Sequence, residues 1–162
     1  MSNEYKDWLQ DLTEEQKANR ELCLKYPFIV PRAWKTGEPY PDWQYESTVL
    51  DDIEEGWRIA FGESWAQEIQ EAINKLPEEE RDKVYVLQLK EKFGIFIQYF
   101  SKCNEDIRKV IHKYEALSKR TCVKCGNPAT RISTGWISPF CDDCKPYHNE
   151  TIPIEEFFKE VE

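Results

Sequence analysis

The sequence predicts an α+β fold in which helices pack on an antiparallel β-hairpin, followed by a C-terminal zinc ribbon. Three observations support this class. Apolar residues recur every three to four positions over 53–76, which is the period of an amphipathic helix. Two short runs of β-branched and aromatic residues flank a glycine over 84–100, as in a hairpin. Two Cys-x-x-Cys pairs follow at 122–144.

The 162 residues are enough for one domain of ordinary size with a small appendage. We expect a helical α+β body at 1–118, with an aromatic and proline-rich connection at 28–50. A four-cysteine ribbon is expected at 119–145, and an acidic tail occupies 146–162. Because the ribbon owns few apolar residues, we expect it to unfold independently of the body.

Two helical segments are predicted in the N-terminal half. The first runs from about Glu14 to Lys25, because Thr13 and Gln16 have the spacing of a capping box and a proline follows. The second begins after Asp51, and glycines 56 and 62 are expected to divide it. Its apolar stripe consists of Ile53, Trp57, Phe61, Trp65, Ile69, Ala72, Ile73 and Leu76.

The predicted hairpin pairs residues Val84 to Leu89 with residues Ile95 to Phe100. Both of its faces are largely apolar, so we expect a helix or a partner to cover each one. Asn104 is expected to cap a last long helix that leads into the ribbon. A brief helix is expected to start within 151–153, where a proline suits a first turn.

Cys122, Cys125, Cys141 and Cys144 predict a zinc site. Fifteen residues separate the two Cys-x-x-Cys pairs, which is enough chain for a small hairpin that brings the pairs together. Four thiolates close the coordination shell of one Zn²⁺ and leave no position for water or substrate. We therefore expect one structural zinc ion rather than a catalytic one.

Charge and composition exclude several classes of function. The net charge is −9 and the pI is about 4.9, which disfavours nucleic acid or an anionic membrane as the partner of the whole molecule. No apolar run reaches the length of a membrane span, and the first residues do not form a signal peptide. We expect a soluble, cytoplasmic protein. Only 102–131 is basic, with eight basic residues against three acidic ones; it either offsets the charge of the zinc thiolates or contacts nucleic acid.

Catalytic motifs are lacking, so we do not expect an enzyme. The chain has two histidines, no glycine-rich phosphate loop and no nucleophile elbow. Exposed aromatic side chains are instead typical of protein interfaces. The aromatic connection offers four such partner-binding candidates, which alternatively cover the core: Trp34, Tyr40, Trp43 and Tyr45.

Several segments together resemble a group of small phage and prophage proteins that end in a four-cysteine zinc finger. The resemblance covers roughly residues 20–144. The segments that carry it are Leu50 to Glu63, Leu89 to Gly94, Tyr114 to Ser118, Thr121 to Ala129 and Ser133 to Cys141. The resemblance implies a phage-encoded cytoplasmic accessory protein that acts on host machinery or host defence.

Three classes of function therefore stay open. The acidic charge, the aromatic residues and the closed metal site favour a non-enzymatic factor that binds and modulates a host protein, such as a host-defence inhibitor. The alternative is a nucleic-acid-binding regulator that uses the basic end with the zinc ribbon. An enzyme built on an unrecognised pair of carboxylates is the third.

Overall fold

The computed structural model describes residues 11–33, 35–45, 48–147 and 149–161, and it confirms the α+β class with helices packed on an antiparallel hairpin. The helices are α1 (Glu14–Lys25), α2 (Glu55–Trp57), α3 (Glu63–Asn74), α4 (Glu78–Arg81), α5 (Glu105–Ser118) and α6 (Ile154–Val161). The strands are β1 (Val86–Lys92), β2 (Ile95–Phe100), β3 (Arg131–Ser133), β4 (Pro139–Phe140) and β5 (Thr151–Pro153). None of the helices described is both long and apolar enough to cross a membrane.

Helix α1 begins where the capping box predicted it. The Thr13 hydroxyl accepts a hydrogen bond from the Gln16 backbone N–H at 3.1 Å, and the Gln16 side chain accepts one from the Thr13 N–H at 3.0 Å. After α1 the chain turns through a short 3₁₀ helix, Pro27–Ile29, whose Phe28 side chain enters the core.

Helix α2 continues into α3 through a π-helix, Arg58–Gly62. The irregular turn lies between the two glycines that were expected to divide this segment. The four central residues of the predicted apolar stripe are all buried, as expected: Trp57, Phe61, Trp65 and Ile69. Their spacing places them on one side of the helix, where they form the centre of the core.

Strands β1 and β2 form the predicted hairpin, but β1 begins at Val86 and continues to Lys92, past the expected end at Leu89, so the turn is only Phe93 and Gly94. Its inner face packs on the core through Leu89, Phe96 and Gln98. The Trp65 indole N–H donates to the Gln98 side-chain oxygen at 2.7 Å, so a buried amide fixes the helix to the sheet. The outer face differs from the expectation that both faces are covered, because exposed side chains such as Leu87 and Tyr99 lie on it.

Helix α5 packs beside α3 and β2. Asn104 caps α5 as predicted, since its side-chain oxygen accepts from the Ile107 N–H at 2.9 Å. Lys113 donates to one carboxylate oxygen of Glu68 at 2.7 Å, and the Tyr114 hydroxyl donates to the other. Burial raises the pKa of Glu68, but these two hydrogen bonds outweigh it and hold that pKa below its ordinary value.

The acidic tail is part of the ribbon sheet, whose strand order is β4–β3–β5. Residues Thr151–Pro153 pair with β3 as a strand, and the helix expected there begins only at Ile154. The Ile154 side chain is buried, and its N–H donates to the Thr130 carbonyl at 3.0 Å. This pairing follows from β3 having a free edge, which local sequence does not reveal.

Candidate metal centre

The four predicted cysteine ligands come together in space. All four sulfur atoms lie within 4.8 Å of one another, and the Sγ atoms of Cys125 and Cys141 are 3.6 Å apart. A disulfide requires about 2.05 Å, whereas metal–sulfur bonds of about 2.3 Å in a tetrahedron place the sulfurs about 3.8 Å apart. The arrangement therefore fits four ligands around one metal ion.

The first Cys-x-x-Cys pair lies in a tight backbone turn. The Gly126 N–H donates to the Cys122 carbonyl at 3.1 Å, and the Asn127 N–H points at the Cys125 sulfur at 3.5 Å. Gly126 has a φ of +84°, a left-handed conformation that glycine adopts without steric cost. The turn thus directs both sulfurs, and one N–H donor, to the same point.

The second pair is brought to the first by the short strands β3 and β4. The Val123 N–H donates to the Pro139 carbonyl at 3.1 Å, which joins the first turn to β4. The second turn is closed by the N–H of Cys144 and of Lys145, which both donate to the Cys141 carbonyl at 3.3 and 3.2 Å. The intervening segment therefore serves as the predicted hairpin between the pairs.

The thiols of the cluster are electrostatically coupled. Burial raises the pKa of Cys122, but hydrogen bonds from the backbone of Cys125, Cys141 and Lys124 outweigh it and lower that pKa to about 7. The pKa of Cys144 rises well above its ordinary value, first because of its hydrogen bond with Cys141 and second because of burial. A bound cation would offset the negative charge of the four thiolates.

The chain supplies a full set of four possible ligands to this cluster. Cys122 and Cys141 are buried, and all four corners of a tetrahedron are supplied by the chain itself. A catalytic metal needs an open position for water or substrate. Within the described part of the chain, no second group of cysteine, histidine or carboxylate side chains is arranged to hold a metal ion. The site is therefore suited to holding structure together.

The ribbon is docked on the N-terminal end of α2 by backbone contact. The Gly56 N–H donates to the Val123 carbonyl at 2.8 Å, and the Trp57 indole N–H donates to the Thr121 carbonyl at 3.0 Å. A Cβ atom at Gly56 would lie 2.1 Å from the Cys122 carbonyl oxygen, and one at Gly126 would lie 2.6 Å from the Gly56 oxygen. Sequence reasoning treated Gly56 only as a helix breaker, whereas the structure uses it for this close approach.

The ribbon and the body share one hydrophobic core. Val123 from the first cysteine turn and Phe140 from β4 belong to the same buried cluster as Trp57 and Phe96. The expected division at residue 119 therefore does not correspond to a gap in packing. Removal of a bound metal ion should therefore lower the stability of the body as well as that of the ribbon.

The aromatic residues proposed for partner binding do not form one exposed patch. Tyr45 is buried at 7% exposure, and Trp43 is partly buried and packs against the core. Tyr40 is exposed at 45%, whereas Trp34 lies outside the described residues. Trp43 and Tyr45 therefore pack on the core, which was the alternative interpretation of this connection. Tyr40 stays a candidate for partner binding.

Several other exposed aromatic residues were not singled out from the sequence: Phe93, Tyr99, Trp136 and Tyr147. Phe93 is 66% exposed in the hairpin turn, and Trp136 is 75% exposed in the loop between β3 and β4. A Cβ atom at Gly94 would lie 3.3 Å from the Ile137 carbonyl oxygen, so the hairpin turn lies against the residue after Trp136. The sequence signal for Phe93 was the Phe-Gly pair, because a two-residue hairpin turn usually contains Asn-Gly.

Four of the eight basic residues of the stretch 102–131 pair with carboxylates of other segments or of their own helix. Its ion pairs are Lys113–Glu68 (2.7 Å), Arg120–Glu155 (2.6 Å), Lys102–Glu80 (3.9 Å) and Lys109–Glu105 (4.0 Å). Arg131 instead donates to the Thr151 backbone carbonyl at 2.7 Å, which fixes β5 to β3. Pairing of half of its basic residues weakens the attraction of this stretch for a phosphate backbone.

Comparison of the chain with protein-family models, curated proteins and solved structures finds no match. Its class is therefore defined by its own architecture. The chain is an α+β protein whose C-terminal cluster of four cysteines could hold a metal ion and is docked into the main core.

Proposed function

We propose that the four cysteines bind one Zn²⁺ and that this ion is structural. Four thiolates in a tetrahedron select Zn²⁺ or an iron–sulfur centre, and the sulfur spacing fits a single ion. Elemental analysis of the protein purified without added metal should find about one zinc per chain. A folded protein with no metal, or with iron and sulfide instead, would contradict this assignment.

We further propose that the chain is a non-enzymatic accessory protein that acts by binding another protein. The observation that supports this most is Phe93, which is largely exposed although its φ is +55°. A bulky side chain in the left-handed region costs about 1–2 kcal/mol, and the two-residue turn would accept asparagine instead. Strain retained at an exposed aromatic residue is typical of a binding contact.

Phe93 has a second aromatic residue in the neighbouring segment. Trp136 lies in the ribbon loop that the hairpin turn touches, and we call Phe93 and Trp136 together the tip surface. Aromatic side chains supply much of the binding energy of protein interfaces. The paired cations of the basic stretch weigh against nucleic acid, and the resemblance to small phage proteins supports a partner from the host cell.

Variants at the tip surface test this function. The full-length protein and its Phe93→Asn and Trp136→Ala variants are immobilised, and retained proteins of a bacterial lysate are quantified by mass spectrometry. We expect both variants to lose the same partner, while Phe93→Asn gains about 1 kcal/mol of folding stability. Leu24→Ala is the matched control, because Leu24 is equally exposed on α1.

Two results would contradict the proposed protein-binding function. If both tip variants retain the same proteins as the wild type, the tip surface is not the binding site. If the wild type retains no protein but binds labelled single-stranded DNA at physiological salt, the nucleic-acid alternative replaces the present one.

A further inference from the structure

An apolar groove of about 370 Å³ lies next to the tip surface, where the hairpin turn, the end of α5, the ribbon and α6 meet. Its walls include Ile95, Ile132, Ile137 and Phe157, and Phe93 stands at one end. The volume lies within the range of sites that receive small ligands or side chains, about 300–1,000 Å³. The groove is therefore large enough for an aromatic or branched aliphatic side chain.

The edge of the groove is cationic, although the whole protein is acidic. Lys119 and Arg120 line it, and the Lys92 ammonium lies 5.7 Å from the Phe93 ring centroid. Arg120 is paired with Glu155, but no carboxylate of the described residues pairs with Lys92 or Lys119. Two ammonium groups without a carboxylate partner in the described part of the chain thus lie beside an apolar groove. Its occupant should therefore carry an apolar side chain and negative charge.

We propose that this groove receives an apolar side chain from a partner protein segment whose flanking residues are acidic. The inference rests on the proposed protein-binding function and names the chemistry of the partner. The apolar walls exclude water from the inserted side chain, and the flanking carboxylates meet Lys119 at the rim and Lys92 beside the Phe93 ring. A nucleic-acid strand would instead need a row of cations along its backbone, which these two lysines do not supply.

Selection from a random-peptide library tests the proposal on the full-length, zinc-loaded protein. We expect enriched peptides to carry an aromatic or branched apolar residue next to aspartate or glutamate. Binding of an enriched peptide should shift the methyl signals of Ile95, Ile132 and Ile137 in NMR spectra, because these side chains line the groove. A failure to enrich any peptide, or enrichment without an acidic bias, would overturn the proposal.

Charge reversal gives the sharper comparison, since exposed lysines can be replaced without disturbing the core. The Lys92→Glu and Lys119→Glu double variant should bind the selected acidic peptide about tenfold more weakly. Repeating the selection on it should enrich peptides with lysine or arginine flanks. The double variant Lys17→Glu and Lys109→Glu is the matched control, because both lysines are exposed and lie outside the groove.

The experiments distinguish a failure of the protein-binding function from a failure of the acidic partner motif. If Phe93→Asn abolishes retention of the cellular partner while the rim charge reversal changes nothing, protein binding stands and the acidic partner motif is wrong. If labelled oligothymidine binds at physiological salt and the rim reversal abolishes that binding, the groove belongs to nucleic acid and the proposal is overturned.

Discussion

Replacing Gly56 by alanine should destabilise the whole protein, although alanine is the better helix former. The new Cβ atom would lie 2.1 Å from the Cys122 carbonyl oxygen, 2.7 Å from the Val123 carbonyl carbon and 2.8 Å from the Gly126 nitrogen. All three atoms belong to the backbone, so no side-chain rotation relieves the overlap. The ribbon and α2 must move apart.

The magnitude follows from the contacts that this movement breaks. The Gly56 N–H donates to Val123 at 2.8 Å and the Trp57 indole donates to Thr121 at 3.0 Å, and each buried donor left unpaired costs about 1–3 kcal/mol. The gain in helix propensity from glycine to alanine returns only about 1 kcal/mol. The two donors together cost about 2–6 kcal/mol, so we expect a net loss of about 1–5 kcal/mol.

Urea unfolding followed by tryptophan fluorescence and circular dichroism measures this loss. Gly135→Ala is the control, because a Cβ atom at Gly135 meets nothing within 4 Å and should change stability little. A Gly56→Ala variant as stable as the wild type would refute the close approach and show that helix propensity dominates at this position.

Three further predictions follow from the same structure. Cys125→Ser, or removal of zinc by a chelator, should lower the midpoint of a single cooperative unfolding transition, and far-UV circular dichroism and tryptophan fluorescence should report the same midpoint. A ribbon that unfolds separately would show instead that the shared core does not couple the ribbon to the body. Trp65→Ala should cost about 3–5 kcal/mol in urea unfolding, because a fully buried indole is lost and Gln98 loses its donor. Glu68→Gln should be less stable than the wild type at neutral pH, and the difference should vanish in acid. A carboxyl whose pKa is lowered by folding contributes stability above its ordinary pKa of 4.5 and loses it as the pH falls through the folded value; a pH-independent difference would contradict the assignment.

Features that depend on neighbouring residues were predictable from the sequence. The capping box at Thr13, the cap at Asn104 and the tight cysteine turns each involve residues a few positions apart. The apolar stripe that includes Trp65 was equally readable, because helical periodicity marks the buried face wherever the helix packs. These local signals were enough for the fold class and for all four cysteines of the cluster.

The location of the exposed surface was harder to predict. Tyr45 and Phe93 are both aromatic residues in segments rich in turns, yet one is buried and the other is exposed. Composition identifies aromatic residues but does not say which of them the core has room for. The groove at the tip surface likewise depends on four segments that are distant in sequence.

The sequence by itself determined the fold class, the main helices and the cluster of four cysteines, because helix caps, periodicity and cysteine spacing act over a few residues. Only the tertiary structure decided that Gly56 receives the cysteine turn, that residues Thr151–Pro153 pair with β3, and that Phe93 lines an apolar groove. Each of these depends on contacts between segments far apart along the chain. Their energies arise from packing and hydrogen bonding that exist only after the chain has folded.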